Sequence, residues 1–268
     1  MLLFDGRPQQ RRRLWAALDY LWGIFPALAS LFILIALWQL AHERLGAMIL
    51  PEPRAVFQRV GEILSSADRQ QVLLTVQRGF SAVLLAVVSG LLLGFAAGLH
   101  RTVALLCRPL ITLLLAMPPI IWVVLAIFWF GMGSGAVIFT IFIVVLPLMF
   151  ASAQQGLLSV PVPLKEMLDV YRVPWPRRLR QFYLPHLIRQ ILPALIVAVG
   201  SGLKVTVMAE LLGSNDGMGS AIGEARAMLD GVTVLAQVVI MVALIMAVEY
   251  GLLEPLRRYF IGEHHAKP

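Results

Sequence analysis

Residues 109–164 of this 268-residue chain contain no Asp, Glu, Lys or Arg. A soluble core cannot hide an uncharged run of that length, whereas a bilayer requires one, since each spanning helix takes about 20 apolar residues. Further uncharged runs cover 20–42, 79–100 and 231–248. Charged residues make up only 14% of the chain and hydrophobic ones 59%, against about a quarter charged in a soluble domain. The chain therefore reads as an all-α membrane protein in contact with lipid.

Six transmembrane helices are predicted, over residues 21–41, 74–99, 109–130, 136–152, 188–209 and 232–251. The 109–152 stretch is long enough for two, with the glycine-rich 131–135 as the reversal. With the N-terminus inside, 15 of the 22 Lys and Arg fall in cytoplasmic segments and six outside, with Lys204 left within a span. That bias places both termini in the cytoplasm. It also accounts for the net charge of +7 without nucleic acid. The N-terminal cluster Arg11-Arg12-Arg13 precedes an apolar run longer than a signal-peptide core, with no small-x-small cleavage site after it, so an uncleaved first span is expected. The single cysteine, Cys107, excludes an internal disulfide or a CxxC metal site.

The predicted organisation is a cytoplasmic tail (1–20), a first span, an outer segment (42–71), a five-helix core (72–260) and a cytoplasmic tail (261–268). Gly90, Gly94 and Gly98 repeat every four residues, either so that a neighbouring helix can approach closely or as glycine merely tolerated in a membrane helix. Pro118-Pro119 should break the third span, and Pro26, Pro147 and Pro193 should kink theirs.

The longest inner loop, 153–187, carries the functional signal. Leu164, Met167, Leu168 and Tyr171 recur at helical spacing as one apolar stripe, with Lys165, Asp169 and Arg172 opposite and Glu166 at the margin. Pro161 and Pro163 precede this short helix; Pro174 and Pro176 end it. On composition alone it could rest on lipid headgroups or dock into the groove of a cytoplasmic partner.

The run Glu166 to Arg172, followed eighteen residues after Glu166 by Leu184-Pro185, resembles the "EAA" loop of binding-protein-dependent ABC permeases. Ala209-Glu210-Leu211-Leu212-Gly213, Gly217-Met218-Gly219 and Glu224-Ala225-Arg226 continue the likeness, toward the nitrate/sulfonate/taurine branch. Met167 and Leu168 stand where that pattern has two alanines, and Arg172 where it has glycine, so a different backbone or a longer helix is expected there. The resemblance implies a type I importer permease: two permease subunits, here favoured as a homodimer, coupled to a cytoplasmic ABC ATPase dimer and served by a periplasmic substrate-binding protein. It implies an inner-membrane location, and ATPase coupling through Leu164, Glu166, Met167, Leu168, Asp169, Tyr171 and Arg172. No cofactor is expected on this chain; it has no phosphate-loop pattern, so ATP and Mg belong to the partner ATPase.

Two residues are candidates for the solute pathway. Lys204 could attract an anion, or could snorkel outward from about one turn below the end of its span. Glu210 opens an acidic outer loop with Asp216, Glu224, Arg226 and Asp230, which is either a docking surface or simply solvated. An ion-coupled secondary transporter is the competing class; it would call for several midplane ionisable residues. No catalytic or metal-binding motif is present.

Overall fold

The computed structural model describes residues 13–253 and residue 255, and every regular element among them is helical. The chain divides after Gln58 into two units. In the first, helix α1 (Arg13–Leu45) starts within the segment expected as a tail. Residues 1–12 and the expected C-terminal tail 261–268 lie outside the described residues. After α1 the chain folds back: Trp38 Nε1 donates to the Pro51 carbonyl at 3.0 Å, and His42 Nδ1 to that of Leu50 at 2.6 Å. Helix α2 (Pro53–Ser65) follows and leads into the second unit.

The second unit contains α3 (Arg69–Leu99), α4 (Arg101–Ala116), α5 (Pro119–Phe130), α6 (Ser134–Leu158) and the short α7 (Val162–Val170). Then come α8 (Trp175–Arg178), a π-helical turn, α9 (Leu184–Gly213), α10 (Met218–Ala227) and α11 (Gly231–Val248). Among the described residues, four stretches are long and apolar enough to cross a membrane: 69–99, 134–158, 175–213 and 231–251. A fifth is reached if α4 and α5 count together, but these two are bent by 103°.

The third expected span, 109–130, is therefore not one rod. Pro118 forces Met117 out of the helical region, to φ −87°, ψ 130°, because the pyrrolidine ring clashes with a helical predecessor. A new helix then starts with Pro119, where a missing N–H costs nothing. No residue of α4 is buried.

The core lies among α3, α6 and α9. Ala82 and Ala86 of α3, Ile141, Val145 and Met149 of α6 and Ala198 of α9 are all fully enclosed. Small residues bring α3 and α6 together. A Cβ on Gly94 would stand 2.4 Å from the Phe150 carbonyl oxygen, and one on Gly90 2.8 Å from that of Leu146. Gly98 lies against Leu157 in the same seam. Lipid-like exposure of side chains such as Leu92 and Phe128 is what a bilayer-facing surface requires.

Candidate coupling helix and translocation elements

Helix α7 starts after Pro161 and carries Pro163 in its first turn, where no N–H is missed. It ends in a Schellman arrangement. The Arg172 N–H donates to the Asp169 carbonyl (3.0 Å) and the Val173 N–H to that of Leu168 (3.1 Å). Arg172 takes φ +45°, the left-handed conformation this cap demands and glycine ordinarily supplies. The expectation of a different backbone or longer helix at Arg172 is thus corrected: the glycine-like turn is kept and an arginine occupies it.

The apolar stripe divides in two. Leu168 is 1% exposed and packed inside the chain, so it is not part of the surface that α7 presents. Leu164 is half-buried. Met167, Val170 and Tyr171 remain exposed, with Trp175 of α8 beyond them. Glu166 is exposed. Asp169 is held internally by an ion pair with Arg178. The same guanidinium donates to the carbonyls of Leu168 (2.8 Å) and Val173 (2.5 Å), occupying carbonyls at the end of α7. Arg178 therefore fixes how α7 sits, a role the basic run Arg177, Arg178 and Arg180 did not reveal.

At the opposite end of α9 a second polar cluster centres on two buried side chains, with the half-exposed Asp216 at its edge. Glu210 is 0% exposed and Arg78 of α3 5%. Arg78 Nη1 stands 3.1 Å from Glu210 Oε1, and Nη2 stands 2.6 Å from Asp216 Oδ1. Ser134, at the start of α6, accepts from Arg78 Nε and Nη2 at 3.0 and 2.7 Å. The other carboxylate oxygen of Glu210 accepts from Thr75 Oγ1 (2.7 Å) and from the Gly219 N–H (3.2 Å). Thr75 in turn accepts from the Met218 N–H (2.8 Å), and Gln71 from that of Gly217. These bonds tie α3, α6 and α9 to the segment entering α10.

Gly217 is required by this arrangement. Its φ is +97°, and a Cβ there would lie 2.3 Å from Glu210 Oε1. Asp216, outside the spans, has its carboxyl held below the usual range by its bond from Ser214 Oγ and then by Arg78. Every oxygen of Glu210 is thus engaged internally, within α9 rather than in an outer loop.

Lys204 lies on the exposed face of α9. The helix runs nine residues past it to Gly213, about 14 Å at 1.5 Å per residue. The expected position one turn from the helix end is corrected: Arg78 neutralises Glu210 inside the bundle, so that glutamate does not mark the helix's exit into water. Lys204 lines a groove of about 240 Å³ with Gly200, Ser201, Ile245 and Glu249.

The family described as binding-protein-dependent transport system inner membrane component matches residues 86–258. The chain belongs to this family. A putative ABC transporter permease of Methanocaldococcus jannaschii is 30% identical, over 88% of this chain and 89% of its own length. The taurine transport permease TauC of Escherichia coli is 26% identical, over 87% of both. The nitrate import permease NrtB of Synechococcus elongatus is 25% identical, over 80% of this chain and 81% of its own. In fold, the permease is similar to the MetNI methionine ABC transporter solved in inward-facing conformations. One such chain gives a TM-score of 0.60 at 17% identity, over 73% of this chain and 99% of that one.

Sequence reasoning missed Arg78 in this permease, counting it among outer charges. A signal was present: Gln71, Thr75 and Arg78 fall at i, i+4 and i+7, a polar stripe at the start of an otherwise apolar helix.

Proposed function

We propose that this chain is the membrane subunit of an ATP-driven importer of a small anionic solute, with α7 as the element that grips a separate cytoplasmic ATPase. The observation that carries the reading is the exposed apolar surface of Met167, Val170, Tyr171 and Trp175, on a helix capped at Arg172 and braced by Arg178. A ridge held this firmly loses little conformational freedom on docking into a groove. Six spans with both termini in the cytoplasm of an inner membrane put α7 on the ATPase side and α10 on the side where a binding protein delivers solute. Two copies of the chain would enclose the pathway, and ATP-driven closure of the motor would switch them between two packings.

The anionic preference rests on Lys204 and on the likeness to permeases for taurine and nitrate. An exposed lysine deep within an apolar helix is costly unless it faces a water-filled path or a counter-ion. Ser201 lines the same groove, but its hydroxyl donates to the Val197 carbonyl at 2.7 Å, which leaves Lys204 as the group there that attracts an anion. Glu249 in the same groove offers a counter-charge that an anion would have to displace or stand apart from.

Val170→Asp and Tyr171→Asp should leave membrane insertion intact and abolish co-purification with the ATPase. Normal assembly of both variants would count against α7 as the grip. Transport down an ion gradient by this chain alone, with no ATPase present, would defeat the importer reading altogether.

A further inference from the structure

A groove of about 250 Å³ opens beside α10, on the far side of the molecule from α7 along α9, between α2, α3, α10 and α11. Its polar lining includes Arg59, Asp68, Glu224, Asp230 and Gln237. Arg59 is already balanced by Glu62 at 2.9 Å and donates to Thr233 Oγ1 at 3.2 Å. Asp230 caps α11 by accepting from the Thr233 N–H at 3.0 Å. The side chains of Asp68 and Glu224 are in no ion pair or side-chain hydrogen bond among the described residues. Deeper in, Gln237 is 2% exposed and its Oε1 has no hydrogen-bond partner.

A buried amide oxygen without a donor costs about 1–3 kcal/mol, so the groove is short of donors and not of acceptors. Two free carboxylates lie at its mouth, and Ile63, Ala225 and Met228 supply apolar wall. The combination suits a group with a methylene stem and a cationic head carrying several N–H donors, which is the chemistry of an arginine or lysine side chain.

We infer that this groove is a socket for a basic side chain presented by the solute-binding protein when it docks on the permease. The inference rests on the importer reading above, which sets this face toward the binding protein. The stem lies along Ile63 and Met228. The head reaches Gln237 Oε1 while Asp68 and Glu224 neutralise its charge. Rim carboxylates of this kind govern encounter and its salt dependence, and the buried amide governs how long the partner stays.

The test uses the assembled permease–ATPase complex in lipid nanodiscs and the binding protein that stimulates its ATP hydrolysis. The Asp68→Asn/Glu224→Gln double variant should need about tenfold more binding protein for half-stimulation, with the same maximal rate at saturation and a weaker dependence on salt. Gln237→Leu should quicken dissociation of the binding protein. Glu224→Lys should regain affinity only with a binding protein whose contacting arginine or lysine is changed to glutamate. A double variant with unchanged half-stimulation overturns the socket while leaving the importer intact. So does butylguanidinium that binds the wild type without competing with the binding protein, since the site would then serve a free cation. A wild-type complex that hydrolyses ATP yet answers to no binding protein counts against the importer reading and takes the inference with it.

Discussion

Arg78 and Glu210, separated by 132 residues in sequence, meet with Nη1 3.1 Å from Oε1 where neither side chain has appreciable contact with solvent. Two charges this deep are tolerated only when every donor and acceptor is matched. Here Ser134, Ser214, Thr75 and the Gly219 N–H complete the set. Breaking one side leaves the other charge uncompensated. Arg78→Met or Glu210→Leu should each destabilise the permease by about 3–5 kcal/mol, read as a lowered thermal unfolding midpoint in detergent. The double variant should lose less than the sum of the two. Strict additivity would show that the pair is not energetically coupled.

Asp216 gives the same cluster a pH dependence. Its carboxyl is held low by Ser214 and Arg78, so the folded state binds that proton less readily than the unfolded chain does. The resulting stabilisation is complete above the ordinary aspartate value and is lost as pH falls through the depressed one. Wild-type permease should therefore lose thermal stability on acidification below about pH 4 more steeply than Asp216→Asn, which lacks the titrating group. Arg78 and Glu210 are common to both proteins, so the difference between them isolates Asp216. Parallel pH profiles for the two would remove Asp216 from the account.

The helical, membrane-spanning character was legible because a bilayer leaves no alternative for runs such as 109–164. The breaks within those runs were legible where proline enforces them, as at Pro118. What the sequence hid was pairing at a distance. Arg78 reads as a charge at the water's edge until Glu210 is brought beside it, and Lys204 appears near a helix end until that same pairing shows α9 continuing to Gly213. The stripe of Leu164, Met167, Leu168 and Tyr171 was visible as a stripe. Which member turns inward depends on how α7 is held, and Arg178, bound to the Leu168 carbonyl, decides that. Likewise Arg172 looked like a lost glycine because residue type is read more easily than φ.

The seam between α3 and α6 can be tested by size. At Gly94 an added side chain would meet the Phe150 carbonyl oxygen and Ala153 Cβ, neither of which can swing aside. Gly94→Leu should cost at least the roughly 1–3 kcal/mol typical of overpacking, seen as loss of folded protein or a lowered midpoint. Gly61, on α2, has open space where its Cβ would be. Gly61→Ala should raise stability by about 0.5–1 kcal/mol through helix propensity alone. Equal responses at the two positions would mean that close approach plays no part.

Arg172 offers the sharpest check on the coupling helix. A non-glycine residue in the left-handed region costs about 1–2 kcal/mol, and here the cost is borne at the cap that ends α7. Arg172→Gly keeps the bonds to the Asp169 and Leu168 carbonyls and removes the strain, so α7 should become more resistant to proteolysis at the 171–173 turn. Arg172→Val cannot relax in the same way, because a β-branched side chain is poorly accommodated at positive φ. It should fray the cap and, through it, weaken assembly with the ATPase. If glycine and valine at this position gave equal protease sensitivity, the positive φ would not be what shapes the end of α7.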